Sequence, residues 1–174
     1  MRILGIDPGL RFTGYGCVET PVGPEAASRV RVHRVWEAGN EAKLVEAGII
    51  RLKLKASVAS RLRELDRDLE EILGRCKPQV VAVEKLYAHY KHPLTAIIMG
   101  HARGVVLLGV ERADLKLVEL AATEVKKSLT GNGHASKQQM QAGVKAQLGL
   151  AATPEPADVA DAIAIALCAL RRAR

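Results

Sequence analysis

Four carboxylates stand at positions in this sequence where an acidic side chain could do chemistry. Asp7 ends the apolar run that opens the chain, and Glu84 ends a second apolar run near its middle. Asp158 and Asp161 lie three residues apart at the start of a segment rich in Ala, Ile and Leu, so they would share one face of a helix. Because a lone carboxylate at the end of a buried strand loses its hydration, each acid is expected to have a partner.

The partner that this pattern favours is a divalent metal ion. If the strands that end in Asp7 and Glu84 are parallel neighbours, both acids emerge at one edge of the sheet, where open α/β sheets place their sites. A helix across that edge would add Asp158 and Asp161, and the four charges would repel one another unless cations were bound. Two Mg²⁺ ions about 4 Å apart would hold the attacking and leaving oxygens of a phosphate ester. The sequence therefore predicts a metal-dependent active site that hydrolyses phosphodiesters.

Each acid also has an ordinary structural interpretation. Asp7 precedes a Pro-Gly pair and could be a turn residue, and Glu84 could simply end a strand. Asp158 and Asp161 fall in the first turn of a helix, where the helix dipole and capping favour acids. The occurrence of all four in one chain is what favours an active site.

The elements that must position these acids follow from the apolar periodicity. Strands are predicted over 1–7, 14–18, 47–52, 79–84 and 115–118, and helices over 56–75, 93–111, 121–129, 136–148 and 157–172. The alternation in 29–35 fits an exposed edge strand or a long hairpin arm. This order predicts an α/β fold, a mixed five-stranded sheet flanked by helices.

Helix 93–111 contains Gly100, Ala102 and Gly104 among its apolar residues. A glycine inside a helix costs about 1 kcal/mol relative to alanine. Close packing against another element is therefore predicted along this helix.

Composition limits the classes of protein that fit. The 174 residues suit a single domain, 1–174, and the net charge of +7 favours a polyanionic partner such as nucleic acid or an anionic membrane surface. The cysteines are odd in number and widely spaced, which indicates reduced thiols and not a disulfide framework or a zinc site. We see no signal peptide and no run near the ~18 apolar residues of a membrane span, so a soluble, cytoplasmic protein is expected.

Seven motifs, in this order along almost the whole chain, resemble those of the RuvC family, which are bacterial Holliday-junction resolvases of the ribonuclease-H-like superfamily. The motifs are Gly5–Gly9, Thr13–Gly16, Ala82–Glu84, Ala102–Gly104, Val125–Lys126, Gly131–Lys137 and Asp158–Ile165. Segment 21–46 looks longer than the first hairpin usual in that family.

The resemblance implies a homodimer that nicks two strands of a four-way DNA junction symmetrically, with helix 93–111 as the interface. It implies that Asp7, Glu84, Asp158 and Asp161 bind metal, two Mg²⁺ per subunit with Mn²⁺ able to substitute. It also implies the branch-migration proteins RuvA and RuvB as partners.

Aromatic and basic side chains follow Glu84 directly. Tyr87 and Tyr90 alternate with His89, Lys91 and His92, a mixture that suits stacking on unpaired bases. The alternative is that the rings only anchor a loop, but the resemblance places a base-stacking aromatic at Tyr87 and favours DNA binding by Tyr87 and Lys91. The two histidines could also suggest a transition-metal site, although no further ligands cluster with them.

Lysines surround a Gly-Asn-Gly sequence near residue 132. Glycines allow a close approach to phosphate and lysines neutralise it. Lys126 and Lys137 match family lysines implicated in DNA handling or catalysis, so both are predicted to bind DNA and Lys137 to assist catalysis. His134 could be a general acid or an ordinary exposed loop histidine.

Two other classes of protein fit part of this pattern. An actin-like ATPase opens with a similar Gly-Ile-Asp-Pro-Gly sequence, but it would need a second phosphate-binding strand and a larger chain. A non-catalytic junction-binding protein would not need all four acids. The predicted function is therefore structure-selective, Mg²⁺-dependent endonuclease activity in recombination and DNA repair.

Overall fold

The computed structural model of the chain describes residues 1–20, 42–86 and 93–173. The edge strand predicted over 29–35 lies outside these ranges. Within them the chain forms five strands and five helices. The strands are β1 (Arg2–Asp7), β2 (Phe12–Glu19), β3 (Lys43–Arg51), β4 (Val80–Glu84) and β5 (Lys116–Leu120). The helices are α1 (Val58–Cys76), α2 (Pro93–Arg112), α3 (Ala122–Thr130), α4 (Lys137–Leu148) and α5 (Ala157–Arg172).

The strands form one mixed sheet in the order β3-β2-β1-β4-β5. β2 runs antiparallel to both β1 and β3, whereas β1–β4 and β4–β5 are parallel pairs. The predicted five-stranded mixed sheet is confirmed, and so is the parallel pairing of the two strands that end in acids. The five strands and five helices predicted within the described ranges are all present, with ends that differ by a few residues.

Helices cover both faces of the sheet, so β1, β2, β3 and β4 each contribute to two cores. Ile3 packs with α5 residues such as Ile163 on one face. Leu4 and Ile6 pack with α1 and α2, for example against Leu65, on the other. This burial on both faces explains why β1 and β4 read as continuous apolar runs instead of alternating patterns.

The buried apolar residues of helix α1 recur at helical spacing because they all face the sheet. Its buried residues, Leu65, Leu69, Ile72 and Cys76, form one stripe against the sheet. The Ser57 hydroxyl accepts a hydrogen bond from the Ser60 amide at the start of the helix, at 3.2 Å. Lys77 ends the helix in the left-handed conformation, with φ 47°.

Helix α5 lies unusually close to the sheet because glycines face it from two strands. A Cβ atom built on Gly5 would lie 2.6 Å from the Ala166 amide nitrogen, and one on Gly16 would lie 2.6 Å from Ile163 Cγ1. A Cβ on Gly14 would lie 2.6 Å from the carbonyl carbon of Asp158. Real Cβ atoms do not come closer than 3.0 Å to such atoms, so only glycine allows the backbone of α5 to rest directly on β1 and β2.

Helix α2 departs from the sequence-based expectation. A Cβ on Gly100 or Gly104 would meet nothing within 4 Å, so the close packing predicted for these two glycines is wrong within one chain. Gly109 does pack closely, since its Cβ would lie 2.8 Å from Leu69 Cδ2. The reason is that only one side of α2 faces α1, while Leu94 and Leu108 on the other side are 76% and 55% exposed.

The apolar character of α2 also corrects an expectation about membranes. In the described part of the chain, one helical segment, Leu94–Arg112, is long and apolar enough to cross a membrane by length and composition, with a mean hydropathy of 1.4. The expectation that no segment comes near this limit is therefore wrong. Arg103 lies in the middle of the segment and pairs with Glu119 of the sheet, a contact that ties α2 to the sheet of this domain.

Candidate active site

Strand parity directs the two strand-end acids to the same face. Ile3 and Gly5 of β1 face α5, so Asp7, two residues further on, does so as well. In β4, Ala82 faces α5 and therefore so does Glu84. The register pairs the residues just before them, Ile6 and Val83, which sets the two acids side by side.

Helix α5 adds the other two acids at the same edge. Asp158 and Asp161 lie in its first two turns. The contact of Gly14 with the Asp158 backbone sets the distance between the start of α5 and β2. The structure thus brings together all four carboxylates that the sequence singled out. Their role as metal ligands stays a prediction.

Burial is the largest cause of the raised pKa values of Asp7, Glu84 and Asp161. The pKa of Asp7 is raised from 3.8 to about 7, chiefly by burial and then by the charges of Asp161, Glu84 and Asp158, while Lys137 acts in the opposite direction. Burial also raises the pKa of Glu84, followed by the charge of Asp161, while Lys126 lowers it. For Asp161, burial raises the pKa, and Lys137 is the strongest opposing charge.

Two of the predicted lysines lie within electrostatic reach of the acids. Lys137 acts on Asp7 and Asp161, and Lys126 acts on Glu84 and Asp161. Lys137 is the first residue of α4, whose start is fixed by reciprocal hydrogen bonds between Ser136 and Gln139. Because four carboxylates face only these two lysines within the described residues, the centre keeps an excess of negative charge, which a bound cation would neutralise.

His134 does not join this group. Its side chain is exposed, and its backbone amide donates a hydrogen bond to Asn132 Oδ1 at 2.9 Å. The causes that shift the pKa values of Asp7, Glu84 and Asp161 do not include His134. Of its two interpretations, the geometry favours an exposed loop histidine.

The donor set suits a hard cation. Carboxylate oxygens are the ligands that Mg²⁺ and Mn²⁺ prefer, and four of them converge at this edge. Within residues 1–20, 42–86 and 93–173, however, no three acidic, His or Cys side chains already meet at metal-ligand distances. A bound cation would draw the carboxylates closer together by offsetting their mutual repulsion.

Arg103 belongs to the motif Ala102–Gly104, but the sequence did not predict its role at the site. Its Nε donates a hydrogen bond to the backbone oxygen of Glu84 at 3.3 Å, and its guanidinium pairs with the carboxylate of Glu119 on β5. The Arg103 side chain is only 15% exposed. Arg103 therefore fixes the end of β4, where Glu84 emerges. A single arginine inside an otherwise apolar helix was the signal that could have revealed it.

Thr13 fixes the chain that follows Asp7. Its hydroxyl donates a hydrogen bond to the Gly9 carbonyl at 2.7 Å and accepts one from the Gly9 amide at 3.1 Å. Thr13 is 1% exposed, the single buried polar residue among those described. These two bonds close the turn between β1 and β2 and join the motif Gly5–Gly9 to the motif Thr13–Gly16.

The predicted aromatic and basic segment after Glu84 cannot be placed in this site. Tyr87 and Lys91 lie outside the described residues, as do the other members of that segment, His89, Tyr90 and His92. Their predicted contacts with DNA stay predictions.

The raised pKa of Asp7 predicts a pH-dependent loss of stability without metal. Because the folded-state pKa is about 7 and the ordinary value is 3.8, stability is full below about pH 4 and falls as the pH rises through 7. Asp7→Asn removes this loss. In EDTA at pH 8 we expect the variant to unfold about 4–8 °C higher than wild type, corresponding to about 2 kcal/mol after allowance for partial exposure.

Thermal unfolding from pH 4 to pH 9 tests this expectation. The two proteins should unfold at similar temperatures at pH 4, diverge progressively between about pH 4 and pH 7, and keep a nearly constant difference above pH 7. Saturating Mg²⁺ should then narrow the gap by stabilising wild type more than the variant. A constant difference at every pH would contradict the burial of a charged Asp7.

The fold is that of the ribonuclease-H-like nucleases, as solved structures show. Thermus thermophilus RuvC in complex with Holliday junction substrate superposes with a TM-score of 0.83 at 30% identity, over 100% of this chain and 95% of that one. The yeast mitochondrial Holliday junction resolvase Ydc2 superposes with a TM-score of 0.59 over 97% of this chain and 78% of that one, and at 14% identity it supports the fold alone.

Sequence comparisons define the family. The family model described as "Crossover junction endodeoxyribonuclease RuvC" matches residues 27–169. The protein of that description from Rhodopirellula baltica is 43% identical over 166 residues, covering 95% of this chain and 84% of the relative. Its counterpart from Caldicellulosiruptor saccharolyticus is 39% identical over 168 residues, covering 97% and 91%. The chain belongs to the RuvC family of crossover junction endodeoxyribonucleases, as its motifs indicated.

Proposed function

We propose that this protein resolves four-way DNA junctions by metal-dependent hydrolysis of phosphodiester bonds, in recombination and DNA repair. The observation that supports this most directly is the convergence of four carboxylates and two lysines at the carboxyl edge of β1 and β4. The junction specificity is supported by membership of the RuvC family and by the junction-bound relative.

In this proposal the role of each acid depends on the strand or helix that carries it. Asp7 and Glu84 stand on neighbouring strands and would form the rigid part of the ligand set, with Asp161 completing it from α5 and Asp158 beside it. Two Mg²⁺ ions, or Mn²⁺ in their place, would supply positive charge to the phosphate and lower the pKa of the attacking water. Lys137 would stabilise the charge that develops on the phosphate oxygens. The water oxygen would bond to phosphorus as the bond to the 3′-oxygen breaks. The water would lose a proton and the leaving 3′-oxygen would gain one, so that the products are a 5′-phosphate and a 3′-hydroxyl.

A second copy of this chain is the proposed occupant of the outer face of α2. Exposed residues recur there at heptad spacing, at Leu94, Ile97, His101, Gly104 and Leu108. The open space over Gly104 would let a partner helix approach closely. A two-fold axis through such a pair would present two equivalent active sites, one for each nicked strand.

Sedimentation velocity tests the dimer. Wild type should sediment as a dimer, and Leu108→Glu should shift the protein toward monomer because an unpaired charge would be buried in the pair. A monomeric wild type would remove this part of the proposal.

RuvA and RuvB are the proposed protein partners and the cytoplasm the proposed compartment. Both follow from family membership. A branch-migration machine would supply junctions at which the resolvase cuts.

Nicking of a synthetic four-way junction tests the proposed function. With Mg²⁺ we expect paired nicks on two strands of like polarity, and with EDTA we expect none while a mobility shift of the junction persists. Binding should persist because the lysines and arginines that contact phosphate do not require metal. Equal cutting of a plain duplex of the same length would reduce the protein to a general nuclease and contradict junction selectivity.

A further inference from the structure

A group of basic side chains lies outside the active site, at the corner between β3 and α1. Residues 47–63 contain five Lys or Arg residues and no Asp or Glu. Four of them, Arg51, Lys53, Lys55 and Arg63, are exposed, and Arg11 from the β1–β2 turn is exposed as well. We call these five residues the β3–α1 basic surface.

Contacts show that the five residues form one surface. The guanidinium groups of Arg11 and Arg51 lie 5.0 and 5.4 Å from the centre of the Phe12 ring, so they gather around one aromatic side chain. Lys53 and Arg63 line one surface hollow. Lys55 lies in the turn between β3 and α1, two residues after Lys53.

Acidic side chains do not neutralise this surface. In the described part of the chain, no carboxylate forms an ion pair with any of the five residues. One acid, Glu64, borders the hollow beside Lys53. Because like charges gathered without counter-charges are destabilising, a polyanion is the natural partner.

The surface adjoins the acidic centre. The register pairs Phe12 with Arg51, which places the end of β3 at the same sheet edge as Asp7. A groove of about 340 Å³ leads from Asp158 past Gly9 to Arg11 and Phe12. Arg61 holds its wall in place by donating a hydrogen bond to the Leu10 carbonyl at 3.0 Å.

We propose that the β3–α1 basic surface binds the phosphodiester backbone of a duplex arm that leaves the acidic centre on the β2–β3 side of the sheet. β4, which bears Glu84 within reach of Lys126, lies on the other side of β1. A substrate at the acidic centre would thus be held from two sides, by Lys126 near β4 and by the β3–α1 basic surface. Contact with the basic surface would set the direction in which the duplex arm leaves the centre. This inference rests on the proposed function.

Two matched variants test the surface. Lys53→Gln/Lys55→Gln removes two charges from it, and Lys43→Gln/Lys116→Gln removes two exposed charges from the opposite edge of the sheet. Junction affinity is measured in EDTA at several salt concentrations, so the result does not depend on cleavage. We expect the first variant to bind about tenfold more weakly at low salt and to lose about two from its salt slope, since each phosphate contact contributes about 0.9. The control should match wild type.

Junctions with long and short arms identify the DNA element. Wild type should prefer long arms, and Lys53→Gln/Lys55→Gln should lose that preference. An unchanged affinity and salt slope in this variant would overturn the inference even if wild type nicks junctions. Failure of wild type to nick, with the variant still deficient in binding, would overturn the proposed function instead. If Lys53→Gln/Lys55→Gln loses binding to phosphatidylserine vesicles but keeps the DNA affinity of wild type, the surface binds membranes and the inference is overturned.

Discussion

Asp161→Asn should abolish junction cleavage while leaving junction binding within about twofold of wild type. The substitution removes a charged oxygen donor from the proposed metal centre without touching the basic surfaces that hold DNA. A loss of about 4 kcal/mol of transition-state stabilisation corresponds to about a thousandfold in rate. Asp7→Asn and Glu84→Gln should behave in the same way, and nicking rates measured beside mobility shifts in EDTA test all three.

Glu70→Gln provides the matched control. Glu70 is an exposed acid on α1, and its neutralisation should leave cleavage unchanged. If Asp7→Asn, Glu84→Gln or Asp161→Asn cleaves within tenfold of wild type, that residue is not a core metal ligand. A milder loss in Asp158→Asn than in Asp161→Asn would assign Asp158 a supporting role.

Gly14→Ala should reduce cleavage by at least about a hundredfold although no functional group is removed. The new Cβ would overlap the carbonyl of Asp158, so the start of α5 must lift away from β2 and take Asp158 and Asp161 with it. A misplacement of about 1 Å at a reacting centre is sufficient for a loss of that size. The overpacking should also cost about 1–3 kcal/mol of stability.

Gly74→Ala makes the same chemical change where there is room. Gly74 lies in α1, and a Cβ there would meet nothing within 4 Å, so we expect a gain of about 0.5–1 kcal/mol and full cleavage activity. Nicking at a temperature well below both unfolding transitions separates lost geometry from lost stability. Full activity of Gly14→Ala under those conditions would show that the position of α5 does not depend on this contact.

The sequence was sufficient for the architecture and for the acids. Apolar runs ending in Asp7 and Glu84 predict strands with acids at their ends, and the parallel pairing that sets them together is confirmed. The Asp158–Asp161 spacing predicts a shared helix face because helical geometry is local. These inferences succeed because each depends on periodicity or on neighbours in sequence.

What the sequence could not supply were contacts between distant residues. Nothing near Arg103 in the sequence points to the Glu84 carbonyl, nineteen positions away. The fit of Gly14 against the Asp158 backbone joins residues from opposite ends of the chain. The glycines of α2 were misjudged for the same reason, because whether a helix face meets a neighbour depends on the tertiary fold, and Gly100 and Gly104 face away from it.

Because the backbone of α5 contacts the sheet directly, different residues stabilise the hydrophobic core and set the position of the acids. Since main-chain atoms meet at Gly5 and Gly14, the height of the helix does not depend on the sizes of the side chains around it. Substitutions at core residues such as Ile165 or Leu170 would then weaken the fold without moving the acids. A lineage could exchange most of its hydrophobic interior while the spacing of the four carboxylates stays constant, so within that interior the constrained positions would be the few glycines under α5.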